Sequence, residues 1–256
     1  MTLPSSQFPD LRNRGVLITG GGSGIGAALV EAFARQGCRV AIVDIAAEPS
    51  RALCEKVAAQ TGQAPHFIQA DLRQVDAVRA AADEALAGLG SVDILVNNAA
   101  RDDRQALEAV TEESWDESLS VNLRHLFFMC QAIAPHMRRQ GGGSIINFSS
   151  IAFMLNMPDI PAYSTAKAGI VGLTKSLAGK LGPDNIRVNA VLPGMIVTER
   201  QRRLWLTEES IARMQERQCL KRMLVAEDLV GPCLFLASDC SAAMTAQTMI
   251  IDGGVF

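Results

Sequence analysis

An α/β chain built on one doubly wound parallel sheet is the fold class this sequence predicts. Seven short runs rich in β-branched residues alternate with helix-length segments from end to end, and a glycine-rich turn follows the first run directly. With 256 residues, 48% of them hydrophobic, the chain can bury one substantial core. The runs are GVLIT (15–19), RVAIVD (39–44), HFIQAD (66–71), VDILVN (92–97), SIINFS (144–149), IRVNAVL (186–192) and TMIID (248–252). Between them, 26–37, 48–61, 74–89, 112–139, 162–181 and 226–238 place Ala, Leu, Val, Phe and Met at helical spacing. No repeat, low-complexity tract or linker interrupts this rhythm, so one domain is expected over 1–256. The one irregular stretch is 195–224, where Arg200, Arg202, Arg203 and Trp205 follow a strand end and precede a short helix capped by Thr207. An insertion beyond a strand's C-terminal edge lies where such sheets bind ligands. A lid is expected there, with Arg200, Gln201 and Trp205 influencing what the site accepts, or, as the alternative, a contact with a neighbouring subunit.

Composition excludes several classes. A formal net charge of −3 with only three histidines offers no basic footprint for nucleic acid. No apolar run reaches the length of a membrane span. The opening MTLPSSQFPD lacks the features of a secretory signal, and six cysteines are scattered without a CxxC pair, so a reduced, cytoplasmic protein is expected. His66, His125 and His136 have no metal-ligand spacing, and no metal site is expected.

The first strand runs through Thr19-Gly20-Gly21-Gly22-Ser23-Gly24-Ile25-Gly26 into a helix. Glycines let backbone approach a pyrophosphate, and the helix N-terminus presents free N–H groups and the positive end of its dipole. Gly20, Ser23, Gly24, Ile25 and Gly26 are the expected dinucleotide contacts. Asp44 ends the second strand, where a carboxylate accepts from two ribose hydroxyls and repels a 2′-phosphate. No Lys or Arg in the following IAAEP can rescue a phosphate, so NAD is expected over NADP. The alternative is that Asp44 only caps the next helix. Asp71, after the third strand, faces the same choice between pairing with an adenine amino group and forming a turn. Ile45 and Leu72, beside these two aspartates, are further expected cofactor contacts.

Tyr163 is the only tyrosine, four residues before Lys167 and thirteen after Ser150. Spacing of four stacks Tyr163 and Lys167 on one helix face, so the ammonium can lie beside the phenol and lower its pKa. An oxidised nicotinamide ring would add a second positive charge. Singly, each of these residues has a structural explanation; together they form a proton-handling set for an alcohol or carbonyl.

These motifs together resemble the short-chain dehydrogenase/reductase family along essentially the whole chain. The match covers Thr19 to Gly26, the segment Asn97-Asn98-Ala99-Ala100 with Ala in place of a final Gly, the set Asn122, Ser150, Tyr163 and Lys167, and Pro193-Gly194 followed by Thr198. The resemblance implies a Rossmann-type sheet in the order 3-2-1-4-5-6-7 and a homotetramer or dimer built on the helices around 112–139 and 162–181. It implies cofactor contacts from Asn98, Ala99, Pro193, Gly194, Ile196 and Thr198. Lys167 would hold the nicotinamide ribose, and Asn122 would help place a water that carries the proton onward. The strings RDDR at 101–104, VNLRH at 121–125, KAGI at 167–170 and QCLKR at 218–222 are similar to bacterial aldose 1-dehydrogenases, implying oxidation of a sugar at its anomeric carbon to a lactone.

Each sugar hydroxyl withdrawn from water needs a replacement partner. Asp102 and Asp103, beyond the fourth strand, and Asn156, between Ser150 and Tyr163, are candidates beside Ser150 and Tyr163 themselves. An acidic solvated loop between Arg101 and Arg104 is the plain alternative for the two aspartates. Phe153, Met154, Leu155 and Met157 are apolar and would also suit a ketone. A ketone or 3-oxoacyl reductase, and a dinucleotide-binding protein without catalysis, are the competing readings.

Overall fold

The computed structural model describes residues 6–256. Within the opening MTLPSSQFPD, residues 1–5 lie outside the described part.

The seven strands are β1 Gly15–Thr19, β2 Arg39–Asp44, β3 His66–Gln69, β4 Ile94–Asn97, β5 Gly143–Phe148, β6 Ile186–Pro193 and β7 Thr248–Ile251. All neighbours pair in parallel, in the order β3-β2-β1-β4-β5-β6-β7. Helices α1 Gly24–Arg35, α2 Ala47–Thr61, α3 Val75–Leu89, α4 Glu112–Leu119, α5 His125–Arg139, α6 Pro161–Leu181, α7 Glu199–Leu204, α8 Glu208–Arg217 and α9 Val230–Ala237 complete the chain.

Strand alternation divides the interior into two layers. Val16, Ile18, Ile42 and Val96 pack with Leu29 and Phe33 of α1, Val57 of α2 and Leu234 of α9. Leu17, Val43, Leu95 and Ile145 turn to the other face, against Val78 and Ala82 of α3, Met129 and Ile133 of α5 and Ile170 of α6. Burial on both faces explains why the strands are near-continuous apolar runs. A polar rung crosses this second layer. Asn97 Nδ2 donates to Asn147 Oδ1 at 3.0 Å, and Asn147 Nδ2 donates to Thr174 Oγ1 at 3.0 Å, tying β4, β5 and α6 in one register. Among apolar neighbours such a chain, in which Asn97 Oδ1 alone finds no partner among the described residues, favours one alignment of α6 over its slipped alternatives.

The segment expected as one helical stretch over 112–139 is divided. α4 ends at Leu119, a π-turn covers Ser120–Arg124, and α5 follows. The lid holds two helices, α7 and α8. Thr207 caps α8 as expected, its Oγ1 accepting from Ser210 N at 3.1 Å while Ser210 Oγ accepts from Thr207 N at 3.0 Å. Among the described residues no helix is long and apolar enough to cross a membrane.

Candidate active site

The sheet order reverses at β1, between β2 and β4, and the cleft opens at the C-terminal ends of the strands there. Its volume is about 820 Å³, at the upper end of the range for ligand sites.

The glycine turn forms one wall. Gly20 and Gly24 adopt φ of 65° and 53°, the left-handed region glycine enters without penalty. A Cβ on Gly20 would stand 2.7 Å from Ala99 Cα, and one on Gly26 would collide with the Gly20 carbonyl. The turn is locked to the end of β4: Thr19 Oγ1 accepts from Asn98 N at 3.0 Å and Ala99 N at 3.1 Å, while Asn98 Nδ2 donates to the Gly20 carbonyl at 2.9 Å. Ser23 precedes α1 without a side-chain cap bond, so the first N–H groups of that twelve-residue helix face the cleft. This cradle fits a pyrophosphate.

Asp44, Ile45, Asp71, Leu72, Asn98, Ala99, Pro193, Gly194, Ile196 and Thr198 all line the same cleft. Asp44 Oδ2 accepts from Gly22 N at 2.9 Å and Oδ1 from Ala46 N at 2.9 Å. The carboxylate therefore ties the glycine turn to the start of α2, and each oxygen keeps acceptor capacity. Arg51, the nearest following cation in sequence, lies over the Phe67 ring at 5.9 Å. Asp71 accepts from Arg73 N at 3.0 Å and pairs with its guanidinium at 2.7 Å, which holds the carboxyl below its ordinary pKa. The turn-forming role of Asp71 is thus realised at the cleft wall.

Ser150, Tyr163 and Lys167 converge at the cleft floor. Ser150 Oγ accepts from Ala152 N at 3.1 Å, fixing the turn after β5. Lys167 is 2% exposed, and its Nζ donates to the Phe148 carbonyl at 2.9 Å, while Ser149 Oγ donates to the Lys167 carbonyl at 2.6 Å. The ammonium lies 5.5 Å from the centre of the Tyr163 ring. Burial lowers the Lys167 pKa to about 7, with the Asp102 charge opposing that fall. Tyr163 is pushed above its ordinary value, first by burial and then by Asp102, with Ser150 acting the other way. Lowering of the phenol by Lys167, expected from the spacing, is not what this geometry delivers. Burial raises the phenol, and with the Lys167 pKa lowered to about 7 its positive charge is only partly present near neutral pH.

Asn122 sits in the π-turn and does not line the cleft. Its Oδ1 accepts from Arg101 N at 2.9 Å, and its Nδ2 donates to the Arg101 carbonyl at 2.9 Å and to the Ser118 carbonyl at 3.0 Å. Both amide hydrogens go to backbone carbonyls, so the side chain anchors the loop after β4 to the π-turn. Of the three substrate candidates outside the catalytic set, only Asp102 lines the cleft. Asp103 turns away into an ion pair with Arg101, and Asn156 is exposed outside the cleft wall. Met157, Leu155 and Ile160 line it instead.

Two contacts could not be read from the sequence, one made by His125 and one by the lid residue Gln201. His125 is buried, its Nε2 lying 3.2 Å from the Ala99 carbonyl and its Nδ1 without a partner among the described residues, and burial next to Lys167 lowers its pKa to about 4. Its only sequence signal is a histidine inside an apolar helical face. Gln201 donates from Nε2 to Asp102 Oδ2 at 2.8 Å across 99 positions, a contact no local pattern announces.

A family model described as enoyl-(acyl carrier protein) reductase matches residues 20–256, spanning the glycine turn, the cleft floor and the lid. The chain belongs to the short-chain dehydrogenase/reductase family. A protein of Rhizobium meliloti (strain 1021) called probable galactose dehydrogenase GalD is 91% identical over 256 residues, covering all of both chains. D-xylose 1-dehydrogenase of Caulobacter vibrioides (strain NA1000 / CB15N) is 47% identical over 252 residues, covering 98% of this chain and 99% of the relative. Among solved structures, 7α-hydroxysteroid dehydrogenase complexed with NADH and 7-oxo glycochenodeoxycholic acid superposes with a TM-score of 0.91 at 30% identity, covering 96% of each chain. As a short-chain dehydrogenase/reductase, this chain is an NAD(P)-dependent oxidoreductase acting on CH–OH groups.

Proposed function

We propose that this short-chain dehydrogenase oxidises an aldose at C1 to its aldonolactone, using NAD. The reading is carried by one juxtaposition: a carboxylate, Asp102, lines the cleft close enough to Tyr163 for its charge to act on the phenol. A polyol needs such an acceptor beside its reacting hydroxyl, and a simple ketone has no use for it. Whole-length similarity to proteins named for galactose and D-xylose oxidation supports the same substrate class.

Tyr163 takes the proton from the C1 hydroxyl, and Ser150 holds the same oxygen by hydrogen bond. Lys167, with one N–H given to the Phe148 carbonyl, keeps two donors for the nicotinamide ribose. The glycine turn and the α1 N-terminus would hold the pyrophosphate, and Asp44 would meet the adenosine ribose. When bound, the oxidised dinucleotide supplies a hydride acceptor and the positive charge that a phenol raised by burial needs in order to work as a base. NAD is favoured because a 2′-phosphate would meet Asp44 with no cation in 45–49 to receive it. Six free cysteines fit a reducing compartment, and we assign the protein to the cytoplasm.

One observation favours a second reading, an NAD(P)-dependent ketone or 3-oxoacyl reductase: Leu155, Met157, Ile160 and Met214 give the cleft an apolar side. Identifying the product separates the two. Carbon NMR of a reaction with C1-labelled aldose should show the lactone and its hydrolysed acid; labelled sugar left unchanged while a ketone is reduced would establish the second reading.

A further inference from the structure

Asp102 and Gln201 reach the cleft from two separate segments, the first from the loop after β4 and the second from the first turn of α7. Thr198 sets the position of Gln201: its Oγ1 accepts from Gln201 N at 3.3 Å, capping α7. From there Gln201 Nε2 donates to Asp102 Oδ2 at 2.8 Å. A second contact joins the same two segments, the Arg104 guanidinium lying 4.9 Å from the centre of the Trp205 ring.

The pair leaves three polar positions unspent among the described residues. Asp102 Oδ1, Gln201 Oε1 and the second Gln201 N–H have no protein partner, and both residues line the cleft beside Tyr163. Two acceptors and one donor on one wall match neighbouring hydroxyls, each of which gives one hydrogen bond and receives another. A substrate with a single reacting hydroxyl would leave all three unmet, and unmet polar groups in a closed site discriminate strongly against it.

We propose that Asp102 and Gln201 together read a hydroxyl neighbouring the reacting carbon, with Gln201 the specificity-determining half that fixes the carboxylate's orientation. This rests on the aldose reading, and it assigns the lid residue a role that the catalytic set does not supply. Free carboxylate rotation would let Asp102 bond any nearby hydroxyl. Held by the amide, it offers one oxygen in one direction, so the position of the hydroxyl on the ring becomes what is recognised.

The test is a comparison of kcat/KM for D-galactose and its monodeoxy analogues in the wild type, Gln201→Leu, Gln201→Glu and Asp102→Asn, with NAD affinity measured by calorimetry on each. In the wild type, removal of one particular hydroxyl should cost at least about 10-fold. In Gln201→Leu the same removal should cost much less, the loss on galactose being carried mainly by KM. Gln201→Glu, which sets two carboxylates against each other, should be worse than Gln201→Leu on galactose. NAD affinity should stay the same in all four. Full discrimination against every deoxy sugar in Gln201→Leu would overturn the proposal while leaving the aldose reading intact, and so would a parallel loss of NAD affinity. A wild type that oxidises no aldose but turns over a ketone would overturn both.

Discussion

The Lys167 ammonium lies 5.5 Å from the centre of the Tyr163 ring and gives a hydrogen bond to the Phe148 carbonyl at 2.9 Å. It is anchored to the sheet beneath the phenol rather than to the phenol. The protein without cofactor thus holds a tyrosine raised above its ordinary pKa next to a lysine lowered to about 7. The phenol is not ready for base catalysis alone. Readiness is expected to arrive with the positively charged cofactor, which ties the base to the presence of its redox partner.

Tyr163→Phe should reduce kcat by about 10²–10⁴-fold, the range for loss of a positioned general base. Phenylalanine fills the same space, so NAD affinity should be unchanged. Stopped-flow rates and equilibrium titration on the same preparation would check both.

Asp102→Asn should move the acid limb of the kcat/KM profile to lower pH. The Asp102 charge raises Tyr163, and its removal lets the phenol ionise more easily. The height of the profile should fall as substrate contacts are lost, but the position of the limb reports the charge. A profile recorded with a saturating cofactor would show the shift; an unmoved limb would remove Asp102 from the electrostatics of the base.

Asp44→Ala should narrow the preference for NAD. A carboxylate facing a phosphate in a closed site costs several kcal/mol, so the ratio of kcat/KM between NAD and NADP should fall by about 10²-fold. Some loss with NAD itself is also expected, because Gly22 N and Ala46 N lose their acceptor.

Two buried bases should make the cofactor-free protein sensitive to acid. His125 has a folded pKa of about 4 against an ordinary 6.5, so the unfolded chain binds the extra proton in that interval. Stability is full above pH 6.5 and falls as pH drops toward 4, with a slope approaching 1.4 kcal/mol per pH unit, as an order-of-magnitude figure for one group. Lys167, at about 7 against 10.5, does the same at higher pH: its contribution declines as pH falls from 10.5 to about 7. Urea titrations across these windows should show His125→Gln flattening the lower one and Lys167→Met the upper one.

Much of this site was visible in the sequence because its signals are local. A glycine run between a strand and a helix, and Tyr163 one helical turn before Lys167, depend on a few adjacent residues. What remained hidden depends on tertiary contacts. Helical spacing continues through 112–139, yet Asn122 is drawn into bonds with Arg101 and the chain passes through a π-turn there. Asp102 and Asp103 are neighbours in an extended loop, so their side chains diverge; which one enters the cleft is settled by Gln201 on one side and Arg101 on the other. Spacing also placed Lys167 on the right face without fixing where its long stem would end.

The most direct measurement is the initial rate of NADH formation across a panel of aldoses and simple alcohols, with NAD and NADP in parallel. The account predicts rapid NAD reduction by one or a few aldoses, with NADP slower and simple alcohols nearly inert. Activity confined to a ketone or acyl substrate, with silence on every sugar, would contradict it.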